Sequence, residues 1–215
     1  MIKLYTWGTP NGTKVVILLE ETGADYELIP VDLSKGQQRD PAFLELNPNG
    51  KIPAIHDTEG PDGQALALAE SGAILFYLAN KFARFVPFDP RGRIVTLQWI
   101  MFQMAHIGPM IGQLHHFMSS APPGNEYSFE RCRKEGERLL DVLNGRLAES
   151  AYLAGADYTI ADICTWPWLC SWIHTTKQPL GARNALKLWY EAIAARPPVR
   201  KAIDVYNALR AAKAG

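Results

Sequence analysis

Cysteine is scarce in this chain. Only Cys132, Cys164 and Cys170 occur among 215 residues, and none falls in the first 131 positions. An odd, sparse set cannot build the disulfide framework of a secreted domain, so a reducing, cytoplasmic compartment is expected. A secretory leader is lacking too. The N-terminus reads Met-Ile-Lys-Leu-Tyr and enters a strand-like pattern at once, with no basic or apolar leader region. No run of about 18 uninterrupted apolar residues is present, which excludes a predicted membrane span. Charge of one sign is missing as well: 22 Lys and Arg stand against 22 Asp and Glu, without the basic excess of a nucleic-acid binder.

What remains is a globular composition, 47% hydrophobic and 20% charged, long enough for one large domain or two small ones. The charge balance hides an asymmetry. Residues 1–80 hold 5 basic and 11 acidic groups, a net of −6, and residues 81–215 hold 17 and 11, a net of +6. If these were the two domains, their opposite charges would favour association of each with the other, within a chain or between chains.

The first eighty residues alternate between strand-like and helix-like patterns. Ile2–Thr6 reads as a strand, Thr13–Glu21 as a helix ending at Gly23, Tyr26–Val31 as a strand and Pro41–Leu46 as a short helix. Ile52–His56 and Ala65–Leu68 read as strands around a turn, and Ser71–Phe82 as a closing helix. This order gives a small mixed sheet flanked by helices, a thioredoxin-like domain over 1–82. A linker at 83–92 contains Pro87 and Pro90, and beyond it strand signals vanish. Ile94–Phe117, Ser128–Ala148, Ile160–Ser171 and Ala185–Ala195 carry helical periodicity, so 93–215 is predicted as an all-helical bundle domain. Thr159-Ile160-Ala161-Asp162 has the spacing of a capping box ahead of an apolar run, a helix-start signal and not a catalytic one.

A thioredoxin-like unit invites a Cys-x-x-Cys motif after its first strand, where a helix N-terminus lowers a thiol pKa. Thr9-Pro10-Asn11-Gly12 stands there instead. The loop offers a hydroxyl, an amide and backbone N–H groups, which suits a thiolate supplied by another molecule; alternatively Asn11 simply caps the helix. Ile52-Pro53 leads into a strand, and a cis bond there would present the Ile52 backbone to an extended peptide. Glu70-Ser71 begins a helix, where the Ser71 hydroxyl and free amides can hold a carboxylate and Glu70 an ammonium.

Together these are complementary fittings for a short zwitterionic thiol peptide, and here the sequence resembles the cytosolic glutathione transferases, most nearly the nu class of bacterial relatives of the fungal prion-forming nitrogen regulator. The resemblance runs through Thr9-Pro10-Asn11-Gly12, Asp32 to Gln38, Asn47 to Ile55 and Glu70 to Ile74. It continues in Gly108 to Gln113, His115-His116-Phe117, Tyr127 to Arg131 and Tyr158 to Trp168. It implies that Thr9 and Asn11 hydrogen-bond the glutathione sulfur, that Gln38 and Lys51 hold the glycyl carboxylate, Ile52 with Pro53 the cysteinyl backbone, and Glu70 with Ser71 the γ-glutamyl end. Arg131 would meet a second glutathione or the disulfide form, although it stands in a charged run and would also read as a solvated residue.

The resemblance further implies a homodimer and a glutathione-dependent disulfide oxidoreductase acting on small disulfides. Conjugation of electrophiles and reduction of organic hydroperoxides are the enzymatic alternatives, and a glutathione-binding regulatory protein is the alternative of another class. No metal is expected, because His115 and His116 point about 100° apart on a helix and no Cys/His/Asp cluster accompanies them. Cys164 and Cys170 lie in an apolar helix and read as inert; Cys132, in the charged run, is expected to be the more exposed thiol.

Overall fold

The short strands of the N-terminal region are built on a period of two. In the computed structural model, which describes residues 1–211, β1 (Ile2–Thr6) buries Ile2, Leu4 and Thr6 on one face and turns Lys3 and Tyr5 to the other. It pairs in parallel with β2 (Tyr26–Pro30) and antiparallel with β3 (Ala54–Asp57), which pairs antiparallel with β4 (Leu66–Ala69), in the order β2-β1-β3-β4. The parallel pair requires a helical crossover, supplied by α1 (Pro10–Thr22), whereas a turn suffices between β3 and β4. α2 (Pro41–Leu46) covers one face through Phe43, which joins Val31, Ala54 and Tyr5 in one apolar cluster. α3 (Ser71–Lys81) packs with α1 through a core that includes Val15, Leu18, Ile74 and Leu78. The thioredoxin-like architecture expected from the strand order is the observed one, with each element within a few residues of its predicted bounds.

The helical region contains α4 (Pro90–Phe102), α5 (Gly108–Ser119), α6 (Glu126–Glu149), α7 (Ile160–Thr176) and α8 (Asn184–Ala194). The capping box is formed: Thr159 Oγ1 accepts the Ala161 N–H at 3.2 Å, and the Asp162 carboxylate accepts from the Thr159 N–H at 3.0 Å. Asp162 is fully buried and also accepts from Leu153 N–H and the Trp189 indole, so the start of α7 is tied to α8 and to the loop before it. Burial pushes its carboxyl above the usual range, against these donors. Pro90–Ser119 is apolar and long enough to cross a bilayer by length and composition. It carries Arg91, Arg93, Gln98, Gln103 and His106, and it packs on α6 and α7.

Three expectations are corrected. The predicted helix Ile94–Phe117 is two helices joined by a π-turn at Gln103–Ile107, because Pro109 has no N–H to return to the carbonyl four residues earlier and its ring crowds that carbonyl. The linker 83–92 is shorter than read: Asp89 accepts the Gly92 N–H at 2.8 Å and caps α4 from Pro90 onward. The third concerns the C-terminus. The structure divides into a unit of Met1–Arg84 with the segment from Ala195 onward, and a unit of Phe85–Ala194. The last helix, α9 (Pro197–Ala211), therefore packs on α1 of the first unit and does not belong to a helical domain over 93–215.

That reassignment cancels the charge asymmetry. Counted by structural unit, the first holds 12 basic and 12 acidic residues and the second 10 and 10. Opposite charges meet inside the first unit: Arg196 holds Glu21 with Nε at 2.5 Å and Nη2 at 2.8 Å, and Lys201 reaches Glu20 at 2.7 Å.

Candidate functional site

The ladder brings three separate chain segments to one end of the sheet. Tyr5 lies opposite Ala54, and Ala54 opposite Ala69. Thr6, Pro53 and Glu70 are the residues next to these along the chain, one beyond the antiparallel paired positions of each segment. The loop into α1 leaves from the first of these positions, the Ile52–Pro53 bond enters β3 at the second, and α3 begins at the third. This is the C-terminal end of the β1 and β4 strands, where open sheets with helical crossovers place their ligands.

At the first position the local structure separates capping from binding. Thr9 is the N-cap of α1: its extended backbone precedes the helix and its Oγ1 accepts the Gly12 N–H at 3.2 Å. Asn11 lies inside the first turn and is half-buried, so the cap expected of Asn11 is supplied by Thr9. A hydroxyl that accepts from Gly12 still has its own hydrogen to donate, so capping and thiolate binding are compatible in Thr9. Gly12 is demanded by close approach, since a Cβ there would stand 2.2 Å from Thr6 Oγ1 and 2.6 Å from the Trp7 carbonyl. Behind the loop, a Cβ on Gly8 would meet Arg210 Cγ at 2.6 Å and the Tyr206 carbonyl at 2.9 Å, so α9 backs the segment that carries Thr9.

Gln38 and Lys51 come from two loops that meet. Asp32, nearly buried, accepts the Ser34 hydroxyl at 2.6 Å and the Ser34 N–H at 2.8 Å, and its own N–H donates to Gln37 Oε1 at 2.7 Å. The Ser34 hydroxyl is the main reason its carboxyl is held below the ordinary range. This turn carries Gln38, whose side-chain oxygen is buried without a donor among the described residues. With the amide oxygen and nitrogen exchanged, the NH2 group occupies that place, as a carboxylate ligand requires. Across from it, Gly50 takes φ 61° so close to Gln38 that a Cβ would lie 3.2 Å from the Gln38 carbonyl. Asn47, buried and not singled out as a site residue from sequence, fixes this loop. Its Nδ2 donates to the Lys51 carbonyl at 2.6 Å and its Oδ1 accepts the Asn49 N–H at 3.0 Å. Lys51 itself projects exposed.

The Ile52–Pro53 bond is cis. Ile52 precedes the paired residues of β3, which begin at Ala54, so its backbone lies outside the ladder. At the third position Glu70 is exposed with φ 67° and ψ 110°, a left-handed conformation that a non-glycine residue seldom adopts and that is concentrated at functional sites. Ser71 follows, 3% exposed, at the N-terminus of α3. Sequence reasoning passed over Lys14, which is completely buried in α1 and donates from Nζ to Ser71 Oγ at 3.2 Å. Its signal was a lone cation inside the apolar run from Gly12 to Leu19, which an amphipathic reading assigns to the solvent side.

Arg131 lies in the second unit, on α6, exposed. Around it Glu130 is paired with Arg133 and Lys134, Glu135 with Arg138, and Arg133 also with Glu137. Among the described residues of this charged run, Arg131 is the one cation with no carboxylate at ion-pair distance. The cysteines offer no reactive thiol. Cys132 is buried, not exposed as expected, because it falls on the apolar stripe of α6 with Gly136, Leu139 and Leu143. Burial raises its thiol pKa against Arg131, and burial lifts Cys170, half-buried beside Tyr190, to about 11. Cys164 donates to Gln103 Oε1 at 3.0 Å inside the bundle. His115 and His116 sit on α5, and no group of metal-ligating side chains occurs among the described residues.

The comparisons with known proteins agree with this geometry. A family model described as glutathione S-transferase, N-terminal domain, matches residues 1–80, and one described as glutathione S-transferase, C-terminal domain, matches residues 107–197. The disulfide-bond oxidoreductase YfcG of Escherichia coli is 48% identical over 206 residues, covering 94% of each chain. A crystal structure of a glutathione transferase from Burkholderia graminis, with two glutathione molecules bound per subunit, superimposes with a TM-score of 0.89 at 45% identity. It spans 94% of this chain and 87% of that one. Another, from Pseudomonas putida with one glutathione disulfide bound per subunit, has a TM-score of 0.90 at 39% identity over 94% and 90% of the two chains. The two family models, which together match most of the chain, and a relative 48% identical along 94% of its length place the chain in the glutathione S-transferase family.

Proposed function

We propose that the protein is a glutathione-dependent disulfide oxidoreductase that binds glutathione at the shared end of β1, β3 and β4. The observation that carries this reading is the start of α1: Thr9 as the N-cap and Asn11 in the first turn stand at a helix N-terminus where a thioredoxin-like protein would carry its own cysteine. In this reading the Thr9 hydroxyl and the Asn11 amide donate to the sulfur, Gln38 and Lys51 hold the glycyl carboxylate, the Ile52–Pro53 segment pairs with the cysteinyl backbone, and Glu70 with Ser71 holds the γ-glutamyl end. Two neutral donors and the partial positive charge of a helix start favour a thiolate over a thiol of ordinary pKa, about 8.5. Neither Thr9 nor Asn11 is a base near neutral pH, so their work is orientation and charge stabilisation.

The reaction needs no thiol of the protein. A bound glutathione thiolate attacks one sulfur of a small disulfide, forming a mixed disulfide and releasing the other sulfur as a thiolate. A second glutathione thiolate then attacks the mixed disulfide, giving glutathione disulfide and the second product thiolate. The relatives with two glutathiones or one glutathione disulfide per subunit favour a site with room for both molecules, and Arg131, with no carboxylate at ion-pair distance among the described residues, is assigned to the second one's carboxylate, as the family resemblance implies. We further place the protein in the cytoplasm as a homodimer. Cysteines that form no disulfide among the described residues support the first assignment; the second is supported by a stripe of exposed apolar residues on α4, Ile94 at 65% and Met101 at 55% exposure.

Purified protein assayed with glutathione against hydroxyethyl disulfide, chlorodinitrobenzene and cumene hydroperoxide tests the reading. Disulfide reduction is expected to dominate. A larger conjugation or peroxidase rate overturns it in favour of those activities, and glutathione binding without turnover favours a regulatory protein.

A further inference from the structure

Lys14 is the outlier of the first unit. It has no exposed surface, yet an ammonium taken out of water costs several kcal/mol unless polar partners hold it. A methionine of similar length would fill the same space inside α1 without that cost. The charge is therefore retained for something it does, and one of its contacts points to where: Nζ donates to Ser71 Oγ at 3.2 Å. Ser71 is itself buried and is the first residue of α3, next to Glu70 in its left-handed turn. Two sources of positive potential converge on one hydroxyl, the ammonium from α1 and the amides at the start of α3. An ammonium can only donate, so the serine oxygen is the acceptor, and the hydroxyl hydrogen is turned away from Lys14.

We infer that Lys14 is a positioning residue for the γ-glutamyl end of glutathione: it orients the Ser71 hydroxyl as a donor to the α-carboxylate and adds buried positive charge behind it. The inference rests on the glutathione reading above. Lys14 acts through Ser71, so its effect falls on binding and on discrimination of that carboxylate, and not on the sulfur held by Thr9 and Asn11.

The test compares glutathione with 4-aminobutyryl-cysteinylglycine, which lacks only the α-carboxylate, by calorimetric titration of wild type, Lys14→Met, Lys14→Arg and Ser71→Ala. Thermal unfolding is followed in parallel. Wild type is expected to prefer glutathione by at least tenfold. Lys14→Met should bind glutathione about tenfold more weakly while its affinity for the analogue stays within twofold, so the preference disappears. In turnover its KM should rise with kcat held within twofold, Lys14→Arg should recover part of the preference, and Ser71→Ala should lose it. Retention of the wild-type preference by a folded Lys14→Met overturns the inference, as does an equal loss of affinity for both ligands. Should Lys14→Met fail to fold, Lys14→Gln, which keeps a donor without the charge, is read against the same two outcomes. Wild type that binds neither ligand overturns the glutathione reading itself, a result distinct from any failure of the Lys14 variants.

Discussion

Replacing Asn11 by alanine should leave α1 intact, because Thr9 and not Asn11 caps it and alanine is the better helix former. Disulfide reduction by Asn11→Ala is expected to fall by at least tenfold with the far-ultraviolet circular dichroism of wild type; unchanged kinetics would remove Asn11 from the site. Thr9→Ala should lose on both counts, with about 1 kcal/mol of stability lost with the cap and a comparable loss of turnover. The residue types of the site were readable because each is an unusual choice at a structurally marked place: polar residues where a Cys-x-x-Cys belongs, a proline opening a strand, Glu-Ser at a helix start. The left-handed backbone of Glu70 and the burial of Lys14 were not readable. The burial depends on the segments that cover α1 around Lys14, and a left-handed backbone is not what a glutamate signals from its residue type.

At the scale of elements, α9 is the part that local pattern did not separate from the helical bundle. Its start was marked, since Pro197 and Pro198 are favourable only in a first helical turn, and its buried residues Val199, Ala202 and Leu209 recur near helical spacing. Periodicity states that a helix has an apolar face without naming what covers it. Here the cover is α1, locked by the Arg196–Glu21 pair, in which Glu21 is nearly buried. A chain ending after Ala194 is therefore expected to lose stability in its thioredoxin-like unit by several kcal/mol, since α1 would expose the apolar surface that α9 covers and lose the Arg196–Glu21 pair. Denaturant unfolding followed by site-resolved hydrogen exchange checks this; an unchanged midpoint for the α1 amides would contradict it. The π-turn at Gln103–Ile107 is the converse case, a local disruption set by Pro109 and visible in principle from the proline alone.

For the whole molecule, the neutrality of each structural unit changes the expected basis of self-association. Domains of −6 and +6 would attract one another and dissociate in salt, but the acidic surface of α1 is answered by α9 within the same unit. Dimerisation should accordingly rest on the apolar residues of α4. Ile94→Asp with Met101→Asp is expected to give monomers by light scattering, while 1 M salt, which shortens the screening length to about 3 Å, leaves wild type dimeric. Salt-driven dissociation of wild type, or a dimeric double variant, would count against that surface.

The alternation of strand and helix in the first eighty residues and the helical periodicity beyond it determined the fold class of each half, and the marked residues at three helix or strand starts, with no cysteine before position 132, gave the candidate site. These are local or compositional properties, and a backbone that must satisfy its hydrogen bonds leaves few ways to express them. Tertiary structure alone decided that α9 closes the first unit, that Cys132 faces the core, that the sheet register sets Tyr5, Ala54 and Ala69 abreast, and that a lysine of α1 reaches the serine of α3. Each of these is a contact between segments distant in sequence, fixed by which apolar faces cover one another, and no single segment carries that information.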